Sequence, residues 1–158
     1  MPRIGLISDT HGFLDPKVAE HFAGVDHIFH AGDIGPADLV LELERIAPVT
    51  AVTGNTDTDL PFRETEAVAV AGRKFLLQHI VNPRRLAAGL AQRIAREGAE
   101  VVVFGHTHEP DWEVIDGVLF VNPGSAGKSR FGKPRTLGIL RWHDPGPDFQ
   151  FDLVELGP

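Results

Sequence analysis

Val101-Val102-Val103-Phe104-Gly105-His106-Thr107-His108-Glu109-Pro110 is the stretch on which the fold is read. Its apolar half predicts a buried strand, and Glu109-Pro110 marks where any strand must stop. His106 and His108 stand one residue apart at that strand's carboxyl end, where open α/β folds bind their ligands. The pair suits a metal ion better than it suits packing, although a solvated turn would carry the same residues. Partners must therefore come from the rest of the chain.

The same design recurs outward from this stretch. Arg3 to Ser8 predicts a strand that delivers Asp9 and His11 into the loop Ser8-Asp9-Thr10-His11-Gly12. In an extended loop that spacing puts both side chains on one side. Asp26 to His30 predicts a second strand, ending in Ala31-Gly32-Asp33-Ile34-Gly35, with His30 inside the strand as a core residue or a support for ligands. Val49 to Val52 predicts a third, followed by Thr53-Gly54-Asn55-Thr56-Asp57. Ala67 to Ala71 and Lys74 to Leu77 form a hairpin across Gly72-Arg73, and its second strand runs into Gln78-His79.

Between these strands lie helix signals. Asp15-Pro16 opens one with Val18 and Phe22 inward, and Pro36 precedes a second with Leu39, Val40, Leu43 and Ile46 on one face. Asn82-Pro83 opens a third with Leu86, Leu90 and Ile94 inward, ending near Gly98; its arginines, Arg84 and Arg85 among them, are either a solvated face or a phosphate contact. Beyond the central stretch, Trp112 to Ile115 and Val118 to Val121 make a hairpin across Asp116-Gly117. Asn122-Pro123-Gly124-Ser125 is a tight turn, Gly127 to Pro134 a basic loop, and Thr136 to Trp142 and Phe149 to Val154 are strands around a loop at His143 to Asp148.

Composition sets the limits. The 158 residues, 42% hydrophobic and 23% charged, suit a single globular domain over 1–158. No apolar run reaches the roughly 18 residues of a membrane span, and Met1-Pro2-Arg3 does not open a signal peptide. The absence of cysteine excludes disulfides and thiolate ligands and suits a reducing cytoplasm, so the protein is expected to be cytoplasmic and any metal to be held by nitrogen and oxygen. A net charge of −7 argues against stable nucleic-acid binding; no membrane contact is expected, and a homo-oligomer stays open.

Collected together, Asp9, His11, Asp33, Asn55, His79, His106 and His108 are seven nitrogen or oxygen donors just past apolar runs. A structural zinc takes four, whereas seven suit two ions that share a carboxylate and leave positions open for water. Two-metal hydrolysis is the reaction class this predicts, with ions roughly 3.5–4 Å apart and a bridging hydroxide attacking phosphorus in line. Two divalent ions, less Asp9, Asp33 and one hydroxide, leave one positive charge for an anionic substrate, and an Asp in place of Asn55 would cancel it.

The ordered set Asp-x-His, Gly-Asp, Gly-Asn-x-Asp, His and Gly-His-x-His from Asp9 to His108 resembles the calcineurin-like metallophosphoesterase superfamily. The turn Asn122 to Ser125 resembles that of its small bacterial and archaeal phosphodiesterase branch. The resemblance implies an α/β fold, a four-layer α-β-β-α sandwich with the site along one edge of the sheets. It also implies one metal on Asp9, His11, Asp33 and His108 and another on Asp33, Asn55, His79 and His106. By the same likeness Asn55 and His106 serve catalysis, Asn55 touching the substrate phosphate, while Asp57 braces the site. The expected activity is hydrolysis of a small phosphodiester, such as a cyclic or modified nucleotide. Manganese is the working choice of ion, with iron, nickel, cobalt or zinc also suited.

Two residues depart from the family pattern. Thr56 stands where larger relatives carry a histidine that protonates the leaving group, and Ile80 follows His79 where the family has glycine. The alternatives are a phosphomonoesterase on the same site and a non-catalytic scaffold of this fold, like the retromer subunit, which an exposed apolar patch would favour. Phe13, Thr56 to Pro61, Ile80 to Arg85 and Lys128 to Arg130 are the segments expected to shape the pocket.

Overall fold

A computed structural model describes residues 1–144 and 146–158; Pro145, in the loop expected between the last two strands, lies outside the described residues. The chain runs β1 (Arg3–Ile7), α1 (Lys17–His21), β2 (His27–His30), α2 (Asp38–Glu44), β3 (Val49–Ala51), β4 (Thr65–Val70) and β5 (Arg73–Gln78). It continues through α3 (Ala88–Glu97), β6 (Val101–Val103), β7 (Asp111–Ile115), β8 (Val118–Asn122), β9 (Arg135–Trp142) and β10 (Phe149–Gly157).

Two five-stranded sheets result, ordered β10-β9-β1-β2-β3 and β4-β5-β6-β8-β7. In the first, β1, β2 and β3 are parallel and β9 and β10 add antiparallel. In the second, β5, β6 and β8 are parallel between antiparallel β4 and β7. Alternation along each strand then builds the layers. Ile4 and Leu6 of β1 face the other sheet, where they meet Phe75, Leu77, Val101 and Val103. Ile7 points the opposite way, into a core shared with Val18, Phe22, Leu39 and Leu43 of the first two helices and the residue after α1. Leu76, Val102 and Phe104 turn outward onto Leu90 and Ile94 of α3. The architecture is the four-layer α-β-β-α sandwich.

Local differences from the sequence reading have local causes. The first hairpin turns at Ala71-Gly72, not Gly72-Arg73, because Val70 pairs with Arg73 and both turn residues have positive φ, 50° and 79°. The third helix begins at Ala88, not at Asn82-Pro83. Asn82 Oδ1 accepts the Arg84 N–H at 3.2 Å and its carbonyl accepts the Arg85 N–H, closing a separate turn; Ala87 is then extended, at ψ 142°. Leu86 still packs against the α3 core. The buried strand of the central stretch ends at Val103, one residue before Phe104.

Candidate metal centre

The parallel strands bring their carboxyl ends to one edge of the sandwich, and the loops that leave them are bonded to one another. Asp9, His11 and Gly12 donate their N–H groups to the carbonyls of Gly32, Asp33 and Ile34 at 2.8–3.0 Å, so the β1 and β2 loops run side by side. In the second sheet, Gly105 N–H donates to the His79 carbonyl at 2.9 Å and ties the β6 loop to the β5 loop.

Six of the seven expected donors converge in two groups, Asp9 with His11 and His108, and Asp33 with His79 and His106, each with one ligand atom per residue within 4.8 Å of the others. Asp9 Oδ1 lies 3.2 Å from His108 Nε2, 3.7 Å from His79 Nε2 and 3.9 Å from His11 Nε2. Asp33 Oδ2 lies 3.2 Å from His79 Nε2 and 3.7 Å from His11 Nε2, so the two groups share a wall. The seventh donor, Asn55, joins through His106: its Oδ1 is 3.1 Å from the ring Nδ1. Asn55 and His106 are exposed while Asp9, Asp33, His79 and His108 are buried, so the centre opens on the Asn55 side.

Several of the donors are held from behind. Asp9 Oδ2 accepts from Ser8 Oγ at 2.7 Å and from the His106 N–H at 3.1 Å, which leaves Oδ1 without a partner. His79 Nδ1 faces the Ala31 carbonyl at 2.8 Å; an acceptor there requires Nδ1–H, so in the neutral ring Nε2 carries the lone pair that a cation would take. The Asp57 carboxylate accepts the N–H groups of Ile34, Gly35 and Gly54 at 2.9–3.1 Å and binds the Asp33 loop to the Asn55 loop. Asn122 donates to the Gly105 carbonyl and Thr107 Oγ1, and Ser125 Oγ donates to the Asp9 carbonyl, so the tight turn beyond β8 supports both histidine and aspartate loops. Gly54 and Gly105 are required by closeness: a Cβ at the first would overlap Asp33, and at the second Ser8 and Asp9.

His30 is no donor to this centre. Its Nδ1 accepts the Gly32 N–H at 3.1 Å, and Nε2 donates to Thr10 Oγ1 at 3.0 Å, because that hydroxyl gives its own proton to the Ile34 carbonyl. It thus links the β1 and β2 loops. The roles of Ser8, Thr10 and the Ala31 carbonyl were not foreseen. Ser8 beside Asp9 is a faint signal in the sequence, and nothing there marks the other two. Arg84 is exposed and paired with Glu113.

Strain and charge concentrate here. Asp9, His11, Asp33, His106 and His108 have φ of 55°, 45°, 53°, 74° and 62°, a region that costs non-glycine residues about 1 kcal/mol or more each. Burial pushes His30 down to about 3, and His79 nearby adds to the effect, so His30 is neutral. Burial acts to raise Asp33, yet the His79 ring beside it and the bond from the Thr56 N–H hold it well below the usual carboxylate range. Burial acts to lower His79, and is outweighed by Asp33 and Asp9, so that ring is driven upward. For His108 burial prevails and lowers it, against Asp9 and with His11, Arg130 and Lys133. A buried centre that pulls a proton onto His79 is a centre that lacks positive charge. Asp9 Oδ1, His11 Nε2 and His79 Nε2 are buried with no hydrogen-bond partner, and a shared cation satisfies all three. The donor set therefore fits divalent metal.

The family described as the calcineurin-like phosphoesterase superfamily domain matches residues 2–144. The chain is 33% identical over 146 residues to a protein of Methanothermobacter thermautotrophicus named as a probable metallophosphoesterase, covering 87% of this chain and 84% of the relative. It is 30% identical over 168 residues to the phosphodiesterase YfcE of Escherichia coli, covering 89% and 88%. Among solved structures, Vps29 of Entamoeba histolytica in complex with zinc superposes with a TM-score of 0.72 at 20% identity, over 97% of this chain and 98% of that one, a likeness of fold.

Proposed function

The chain belongs to the calcineurin-like phosphoesterase superfamily, and from that premise we propose that this metal-dependent phosphoesterase is a dinuclear phosphodiesterase acting on a small phosphodiester, such as a cyclic or modified nucleotide. Residues 1–158 are read as a single metallophosphoesterase domain. The observation that supports the dinuclear reading most directly is the convergence of three partnerless buried atoms, Asp9 Oδ1, His11 Nε2 and His79 Nε2, on two carboxylates. Asp9, His11, Asp33 and His108 would hold one cation, and Asp33, Asn55, His79 and His106 the other. Manganese is our choice, and iron, nickel, cobalt and zinc suit the same nitrogen and oxygen donors. Two divalent ions supply Lewis-acid polarisation of the phosphoryl oxygens and a water acidified to near neutral pH.

The chain's own residues do the rest. The Thr56 N–H occupies Asp33 Oδ1 at 2.9 Å and leaves Oδ2 to be shared between the two groups. Asn55 stands at the open side, where its amide N–H can donate to a phosphate oxygen. No side chain at position 56 can protonate the leaving group, since a threonine hydroxyl titrates far too high. Esters whose alcohol leaves as a stable anion are therefore favoured, and a diester, with one negative charge, suits a centre whose carboxylates number two.

A non-catalytic scaffold is the second reading, favoured by Trp112 and Val114, 47% and 68% exposed on the edge strand β7. One experiment separates the two. Metal-stripped protein is given one divalent metal at a time and assayed on bis-nitrophenyl phosphate beside the nitrophenyl monoester, with Asn55→Ala and His106→Ala as controls. Diester turnover that returns with metal and is lost in both variants supports the diesterase and names its ion. Two tightly bound equivalents with no turnover would replace it with the scaffold.

A further inference from the structure

Two clefts flank the centre, and their chemistry is opposite. The cleft on the Asn55 side is lined by Glu64, Gln78 and Ile80, while the one on the His11 side is lined by Thr10, Gly12, Phe13, Lys128 and Arg130. The second set is unexpected in a chain of net charge −7. The segment 127–135 carries four cations. Lys133 is paired with Glu109 at 3.2 Å and Arg135 with Asp15, whereas Lys128 and Arg130, both exposed, meet no carboxylate within ion-pair distance among the described residues.

This segment is not a free loop. At one end Gly127 packs so closely on the loop after β1 that a Cβ would stand 2.6 Å from the Asp9 carbonyl oxygen, and its own carbonyl accepts from Arg135 Nε at 2.8 Å. At the other end Lys133 Nζ donates to the Thr107 carbonyl at 2.7 Å, between the two histidines of the central stretch. A turn joins them, with the Lys133 N–H on the Arg130 carbonyl at 3.1 Å. The strap is thus fastened to the loops that bear Asp9 and His108. Lys128 Nζ stands 5.7 Å from the Phe13 ring centroid, and the Arg135 guanidinium 5.5 Å from it.

Two unpaired cations, on a strap fastened at both ends beside a centre that already neutralises one phosphodiester charge, call for further negative charge on the substrate. We propose that the cleft formed by Thr10, Phe13, Lys128 and Arg130 receives a second phosphate on the non-reacting arm of the substrate, so that the preferred diester is a nucleotide-like molecule carrying a phosphomonoester in addition to the bond that is cut. Glu64 excludes such a group from the opposite cleft and fixes which arm lies where. This inference rests on the phosphodiesterase reading.

The test compares the nitrophenyl diester of thymidine 5′-phosphate with the same molecule bearing a 3′-phosphate, on metal-reconstituted protein. The 3′-phosphate is expected to raise kcat/KM about tenfold at low salt, with the advantage shrinking as ionic strength rises. In Lys128→Ala/Arg130→Ala the ratio between the two substrates should fall to within about twofold. A ratio near one in the unaltered protein, or a ratio that survives in the double variant, overturns the proposal. Bis-nitrophenyl phosphate is run alongside, and absence of its turnover refutes the phosphodiesterase reading instead. Calorimetric binding then decides the cleft without turnover: thymidine 3′,5′-bisphosphate should bind more tightly than thymidine 5′-monophosphate, and equal affinities would refute the second-phosphate cleft.

Discussion

Replacing His30 with glutamine and lowering the pH should show how much of the centre's rigidity rests on one neutral ring. His30 is fully buried among His79, Asp33 and His11, and its pKa falls from 6.5 to about 3 in the folded chain. The folded state therefore binds fewer protons than the unfolded chain between those two values. Stability that is complete above pH 6.5 is lost as pH falls toward 3. Between pH 7.5 and pH 5.0, with these two pKa values, the loss assigned to this residue is about 2 kcal/mol. His30→Gln removes the titration. It also strands the Gly32 N–H, at a cost of about 1–3 kcal/mol at pH 7.5. Urea unfolding of chelator-treated protein and variant should then give a stability difference that narrows by about 2 kcal/mol on going to pH 5.0, at constant m. The other histidines titrate in both proteins and largely cancel. A difference that stays constant, or widens, would refute a neutral buried His30.

Other outcomes follow from the same geometry. Asp57→Asn turns one acceptor into a donor facing backbone N–H groups, so the urea midpoint should fall by the equivalent of about 1–3 kcal/mol and metal should be retained less well. Saturating divalent metal at about a hundred times its dissociation constant should stabilise the protein by about 2.7 kcal/mol in thermal unfolding, an increment lost in His79→Ala. Because His79 is raised above its ordinary value, its proton must leave before metal binds, so affinity measured by calorimetry should fall as pH drops through that raised range, with proton release. On matched aryl and alkyl phosphodiesters the aryl ester should be turned over far faster, since Thr56 offers no general acid; equal rates would contradict this.

The fold was legible where chemistry and periodicity coincided. Val101 to Val103 reads as a strand because alternate residues are apolar on both faces, and the layers on either side confirm why: Val101 and Val103 meet the other sheet while Val102 meets α3. The candidate donors were legible because Asp9, Asp33, His79 and the His106-His108 pair each follow such a run. Sheet order was not, since nothing local says that β9 pairs with β1 or that β8 lies between β6 and β7. Asn82-Pro83 misled because its side chain closes a turn that competes with a helix start. The supports were hardest of all. His30 holds the loops after β1 and β2 through Thr10 and Gly32, contacts set by tertiary closeness that leave no pattern in the chain.

The positive φ of Asp9, His11, Asp33, His106 and His108 bears on how such a molecule changes over generations. Every one of these backbones would be more comfortable with glycine, so replacement of a candidate ligand by glycine relaxes the conformation that presented it, whereas any other side chain inherits the strain. Loss of an aspartate also removes a buried negative charge. Loss of the donors through glycine thus relieves strain, whereas their return must climb against five positive-φ residues. A sandwich of this kind can lose its donors with its architecture intact, since the strain sits in the loops beyond β1, β2 and β6 and not in the sheets themselves.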